Sequence, residues 1–187
     1  MRNIIPALLT GFLLLGCGRE EPIVTVEKVV KNDEITVAEK TDVKRPFSWK
    51  LPDGWKEKEA QGIVTAEFSV PNLKKGRCYM LKLKGDGGGL TANINRWFGQ
   101  MCIMGVNSEI TDELTAASRK YKLNDGHEIM ILDFTKYAPD GKSPSMVVGI
   151  VTYPDSTLYV KLFGVTDEIS GLKEQFIAFA ASIRRNN

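Results

Sequence analysis

Reactive side chains are few in this 187-residue chain. A single histidine, His127, excludes a zinc site built from several imidazoles and leaves one candidate general base. It follows Asn124-Asp125-Gly126 directly, so it is expected to point to solvent at the start of a strand. A catalytic Cys–His or Ser–His pair would also need a third group to orient the imidazole, and a catalytic role is disfavoured. The three cysteines, Cys17, Cys78 and Cys102, lie far apart and lack the C-x-x-C spacing of redox or zinc motifs. Cys78 and Cys102 read as small buried apolar residues, with a disulfide between them as the alternative in an oxidising compartment. Acidic residues are scattered, and no D-x-D-x-D-G loop points to calcium.

The cluster Gly85-Asp86-Gly87-Gly88-Gly89 stands between a strand and a helix, where a phosphate cradle would sit. Backbone N–H groups at a helix start attract anions. Three features oppose that chemistry. No Gly-Lys-Ser/Thr follows as in a P-loop. The later segments form hairpins where a dinucleotide fold needs βαβ units. Asp86 would repel a phosphate. A structural turn is therefore favoured, with a loop contacting a ligand or partner as the second reading. The helix behind the cluster carries Asn93, Asn95, Arg96 and Gln100 on its back face, richer in hydrogen-bonding groups than in charge. Either Asn95 and Arg96 tie the glycine loop to neighbouring strands, or Asp86, Asn93, Asn95, Arg96 and Gln100 form a ligand or partner surface. Trp49, Trp55 and Trp97 occupy strand and helix positions that read as core.

These residues need a scaffold, and the hydrophobic period supplies one. Phe47 to Leu51 reads as a short strand stopped by Pro52-Asp53-Gly54. Ile63 to Val70 and Arg77 to Lys84 alternate as strands. Leu90, Ile94, Trp97, Phe98 and Met101 recur on one helical face, predicting an amphipathic helix from Leu90 to about Met104. Ser108 to Leu114 reads as a short helix capped by Ser108. Two hairpins follow: Ser118 to Leu123 with His127 to Thr135, around an Asp-Gly turn of type I′, then Ser145 to Tyr153 with Thr157 to Gly164. Ile169, Leu172, Phe176, Phe179 and Ile183 mark a C-terminal helix. The expected class is α+β, a mostly antiparallel sheet of about six to seven strands with two main helices packed on it.

Ahead of this domain, residues 1–16 have the layout of a secretory signal peptide: a positive start at Arg2, an apolar run, then Gly16 before Cys17. The run is about 12 residues, short of the roughly 20 that span a bilayer. With Leu14 three positions before Cys17 it looks like a lipobox, in which the Cys17 thiol is acylated. Each buried lipid CH₂ contributes about 0.8 kcal/mol, and two chains anchor stably where one does not. Gly18 in place of an aspartate implies, in the sorting scheme of two-membrane bacteria, an outer-membrane destination facing the periplasm. Residues 17–45, aromatic-free, read as the lipidated cysteine and a solvated tether, and 46–187 as one globular domain. Cleavage would leave 24 basic against 23 acidic side chains, which gives no electrostatic reason to bind nucleic acid.

The stretch Gly85 to Gln100, G-D-G-G-G-L-T-A-N-I-N-R-W-F-G-Q, resembles a motif of a family of uncharacterised lipoproteins from planctomycete and verrucomicrobial bacteria. There a G-D-x-G-G loop leads into A-N-x-N-R-W-x-x-Q. The likeness extends to the opening F-S-W-K-L-P-D-G-W at Phe47 to Trp55 and to the closing strand and helix. It brings no activity to these residues. The element order also resembles the α/β/α sandwich of the PsbP-like extrinsic photosystem proteins, an analogy of fold that transfers no function. The expectation is a non-enzymatic lipoprotein of the cell envelope, held on the membrane through Cys17, with an envelope protein as partner and no cofactor. The alternative is an accessory module for a small ligand or metal.

Overall fold

The computed structural model describes residues 45–186, and the signal peptide, Cys17 and the tether as far as residue 44 lie outside them. The described residues hold a seven-stranded antiparallel sheet, a two-stranded sheet and three α-helices. None of those helices is long and apolar enough to cross a membrane.

In chain order, β1 (Phe47–Ser48) leads through the Pro52-Asp53-Gly54 turn to β2 (Lys56–Lys58), β3 (Ala66–Ser69) and β4 (Arg77–Lys84). The glycine loop then opens α1 (Leu90–Gln100), and α2 (Ser108–Ala116) follows. Next come β5 (Arg119–Lys122), β6 (Glu128–Asp133), β7 (Pro144–Thr152) and β8 (Ser156–Val165). The chain closes with α3 (Thr166–Ala181) and β9 (Arg184–Arg185). The order across the main sheet is β2-β3-β4-β8-β7-β6-β5, while β1 and β9 pair with each other. The strands β7 and β8 sit at the centre because both faces of each are buried.

Strand alternation sorts the core into two clusters. Ala66, Phe68, Cys78, Met80, Val147, Val151, Val160 and Leu162 face α3, which lays Ile169, Leu172, Phe176 and Phe179 over them. Tyr159, Met146, Val148, Ile150 and Leu132 face the other way, under Ile94, Trp97, Phe98 and Met101 of α1 and Leu114 of α2. The result is a three-layered α/β/α sandwich. Aromatic contacts tie each side: Phe68 and Phe179 pack at 4.8 Å on the α3 face, and Phe98 and Phe134 at 5.1 Å on the α1 face.

Several local expectations change. The first helix ends at Gln100, because Cys102 takes the left-handed conformation (φ 61°) and turns the chain away. The cap of α2 is Asn107, whose side chain accepts from Ile110 N, so Ser108 is already helical. The turn between β5 and β6 has three residues, and only Gly126 is left-handed (φ 86°), so it is not a type I′ turn. The disulfide alternative is not formed: Cys78 is buried under α3, whereas Cys102 is exposed beyond α1 on the opposite side of the sheet. Cys102 is therefore not the buried residue its composition suggested.

Candidate functional site

The α1 face concentrates what is chemically unusual. Of the buried polar or charged side chains among the described residues, Glu67, Asn93, Thr111, Thr157 and Lys161 lie on this side, and Ser145 and Ser156 face the other way. Burying such groups costs free energy unless they are partnered, so each needs an account.

Asn93 is 2% exposed and organises the glycine loop. Its Nδ2 donates to Gly87 O at 3.0 Å, Gly89 O at 2.8 Å and the Tyr159 hydroxyl at 3.1 Å. Its Oδ1 accepts from Arg96 Nη1 at 2.7 Å. Tyr159 in turn donates to Asp86 O at 3.2 Å, and Thr157 Oγ1 donates to Gly85 O at 2.8 Å. A Cβ at Gly87 would fall on the Tyr159 hydroxyl, so the close approach of loop and strand requires glycine there. Asn93 and Arg96, not Asn95 and Arg96, therefore hold the loop; Asn95 is exposed.

The loop is no phosphate cradle. Gly85 N donates to Asp155 O, Gly87 N to Lys84 O, Gly88 N to Asp86 Oδ1 and Gly89 N to Asp86 O. Four of the cluster's five amides are thus engaged within the fold, leaving that of Asp86, so the cluster does not present the array of free donors that a phosphate cradle needs. The structural-turn reading holds, and Asp86 serves it by folding its carboxylate back onto Gly88.

Beside the loop lies a groove of about 260 Å³. Asp86, Gly89 and Leu90 form one wall, Met130 and Ile150 the apolar floor, and Thr152, Thr157 and Tyr159 a polar edge. Of the five helix and loop residues singled out from the sequence, the groove takes Asp86 alone. Asn93 and Arg96 brace the loop behind it, Asn95 is exposed on α1, and Gln100 lies at the far end of the helix.

Gln100 marks a second place of interest, built around Lys161, which sequence reasoning missed. Lys161 is 5% exposed in the middle of β8, and burial, with the Arg96 charge adding to it, lowers its pKa to about 8. Its Nζ donates to Gln100 Oε1 at 3.0 Å and stands 5.7 Å from the Tyr79 ring and 5.4 Å from the Trp97 ring. Next to Tyr79, Arg77 grips Glu67 through two of its guanidinium nitrogens (Nε 3.2 Å, Nη2 2.8 Å) and Lys58 adds a contact of 3.0 Å. The Arg77 hydrogen bond holds the Glu67 carboxyl at about 2. One signal was available: a lone lysine in T-L-Y-V-K-L-F-G, a run otherwise apolar on both faces.

His127 does not point freely into solvent. Its Nδ1 lies 3.2 Å from Asp125 Oδ1 and its ring packs 4.4 Å from Tyr153. Asp125 also accepts from Arg185 N at 2.8 Å, and Arg185 makes a double contact with Asp155. This cluster fastens the two hairpin turns to β9. Neither Cys78, sealed under α3 where burial raises its thiol pKa, nor Cys102 is placed to be activated by the imidazole. Among the described residues no group of three or more His, Cys, Asp or Glu side chains converges as a metal site would require.

No protein-family model matches the chain, and no curated protein matches it significantly. Among solved structures, a PsbP from the cyanobacterium Synechocystis is 12% identical with a TM-score of 0.44, over 78% of this chain and 89% of that one. The protein LpqN, involved in cell envelope biogenesis of Mycobacterium tuberculosis, is 15% identical with a TM-score of 0.44, over 75% of this chain and 83% of its own. A protein from Bacteroides thetaiotaomicron is 14% identical with a TM-score of 0.42, over 76% of this chain and 46% of its own. At this level of similarity they transfer nothing about activity or partners.

Proposed function

We propose that this chain is a non-enzymatic binding module of the cell envelope, held on a membrane by lipid on Cys17. Its recognition surface is the groove between the glycine loop and the α1 face of the sheet. The observation that carries the reading is the groove itself: an apolar floor of Met130 and Ile150 beneath a rim of Asp86, Thr152 and Tyr159. That combination suits a partner segment presenting one apolar side chain and hydrogen-bond donors. The motif Gly85 to Gln100 then works indirectly, because Asn93 and Arg96 fix the wall that a partner meets. Membership of the planctomycete and verrucomicrobial lipoprotein family, and an outer-membrane position facing the periplasm, belong to the same proposal and rest on the motif and on Gly18.

Two measurements test it. A Cys17→Ser variant should change both the mature mass and the fractionation from membrane to soluble. Equal masses with both proteins soluble would remove the lipid anchor from the proposal. Thr152→Arg places a long cation on the exposed rim of the groove. It should leave the unfolding midpoint unchanged and abolish crosslinking of envelope components to the wild-type groove; retention of every crosslinked species would sink the groove as the contact surface. The small-ligand alternative uses the same cavity, and a broad metabolite screen by thermal shift addresses it through mass-action stabilisation.

A further inference from the structure

Lys161 poses a problem that the groove does not solve. It lies beyond the other end of α1, on a sheet position paired with Tyr79 on one side and Val148 on the other. Among the described residues no carboxylate comes within ion-pair distance of its ammonium, whose one hydrogen-bond acceptor is the neutral Gln100 amide. Arg96 is the charge that acts on it directly, while Arg77 stacks over the Tyr79 ring that Lys161 also faces and is itself paired with Glu67, which Lys58 engages from the far side. The neighbourhood is thus cationic in excess. A cavity of about 310 Å³ is lined by Arg77, Tyr79, Gln100 and Phe163; Lys161 is not one of its walls but stands behind two of them, bonded to Gln100 and facing the Tyr79 ring.

We propose that this cavity binds a small monocarboxylic acid with an apolar or aromatic body, whose carboxylate replaces the Gln100 amide on Lys161 Nζ while its body lies against Tyr79 and Phe163. Three features select that class. The buried ammonium lacks an ionic partner, and a carboxylate would bring it a full opposite charge where the amide oxygen offers only a dipole. Arg77 is committed to Glu67 and Arg96 is engaged by Asn93 Oδ1, so Lys161 supplies one cation to the cavity and a single negative charge matches it. Glu67, held next to the site, disfavours a dianion such as phosphate. The depressed Lys161 pKa agrees, since it registers an ammonium that its surroundings understabilise. Gln100, exposed at the last turn of α1, acts as a movable stand-in that covers the ammonium when the cavity is empty.

Calorimetric titration of the full-length protein at pH 7 tests this with benzoate and hexanoate as probes and benzamide as the uncharged control. Wild type should bind an acid and not benzamide. Gln100→Ala, which removes the competing acceptor from an exposed position, should bind the acid roughly tenfold more tightly. Lys161→Met, close in volume, should lose at least roughly tenfold in affinity while its circular dichroism stays native. If that variant does not fold, the Gln100→Ala result alone decides. The site is overturned by equal binding of acid and benzamide, by equal binding to wild type and Lys161→Met, or by no heat from wild type or Gln100→Ala with either acid at roughly 10 mM.

Discussion

Asn93→Ala is the perturbation that separates a structural motif from a recognition motif. The wild-type amide is 2% exposed and gives two N–H protons to three acceptors, Gly87 O, Gly89 O and the Tyr159 hydroxyl, while its oxygen takes a proton from Arg96. Gly89 O keeps the helical bond from Asn93 N after truncation, so it is not orphaned. Gly87 O and the Tyr159 hydroxyl each lose the amide donor. Two net hydrogen bonds at about 1 kcal/mol each, with part of a desolvation penalty added, give a loss of about 2 to 4 kcal/mol. For a domain of this size that lowers Tm by about 7 to 14 °C. Urea unfolding followed by tryptophan fluorescence gives the free energy, and hydrogen exchange at Gly87 to Gly89 should show the loop amides losing protection. Asn93→Asp should cost nearly as much, because it keeps the oxygen facing Arg96 but places its second oxygen against the Gly87 and Gly89 carbonyls. Asn95→Ala, exposed two residues on, should stay within about 0.5 kcal/mol of wild type. A loss below about 0.5 kcal/mol for Asn93→Ala, or a neutral Asn93→Asp, would refute the account of the loop.

Glu67 titrates at about 2 when folded and near 4.5 when unfolded, so its stabilisation is present above pH 4.5 and lost as pH falls through about 2. Because Lys58 and Arg77 are half exposed, the loss should be about 1 to 2 kcal/mol, and an acid titration of Glu67→Gln should lack it. Lys161 titrates oppositely: the unfolded chain binds the proton up to 10.5 and the folded chain only to about 8, so stability should rise across that window by up to about 3 kcal/mol. Urea midpoints of Lys161→Met at pH 7 and pH 10 should show no such rise. Thiol labelling with peptide mapping should modify Cys102 in the native protein and Cys78 only in denaturant, since burial raises the Cys78 thiol pKa as well as shielding it. Gly87→Ala should cost more than Asn93→Ala, through both the clash with Tyr159 and the left-handed backbone (φ 66°), measured by the same urea assay.

Elements whose two faces differ in polarity were legible. The alternation of β4 predicts Arg77–Lys84, and that is where the strand runs. Of the two short strands at the margins, β2 is K-E-K, exposed at every position, with no pattern to read. The pairing of β9 with β1 depends on two chain segments meeting across the fold, which no local window contains. The helix α1 shows a subtler failure. Asn93 stands three residues after Leu90 and four before Trp97, both on the apolar stripe, so the helical period places it at the buried margin instead of the back face. Its polarity masked a position that its spacing declared. Lys161 was missed although it stands alone in a run otherwise apolar on both faces: it shares a strand face with Tyr159 and Phe163, and the central place of β8 is what buries it.

The two sides of the sheet divide the work of the fold. On the α3 side a 16-residue helix covers the central strands, and Trp55, Phe179, Phe68 and Trp49 contact one another in sequence at 5.4, 4.8 and 5.4 Å. That side leaves little room for polar chemistry, and truncation of a fully buried aromatic there, such as Phe179, removes packing that has no substitute, at about 3 to 5 kcal/mol. On the other side α1 has 11 residues, too short at 1.5 Å per residue to cover strands as long as β7 and β8 from end to end. Both ends of α1 therefore meet open sheet: the groove at its start, under the glycine loop, and the Lys161 cavity at its finish, under Gln100. Of the buried polar groups on this side, α1 holds Tyr159 through Asn93 at one end and Lys161 through Gln100 at the other, whereas Glu67 is held by Arg77 and Lys58 from the sheet. The two openings of this face thus coincide with the two ends of α1, the groove where the glycine loop enters the helix and the second cavity where Gln100 closes it.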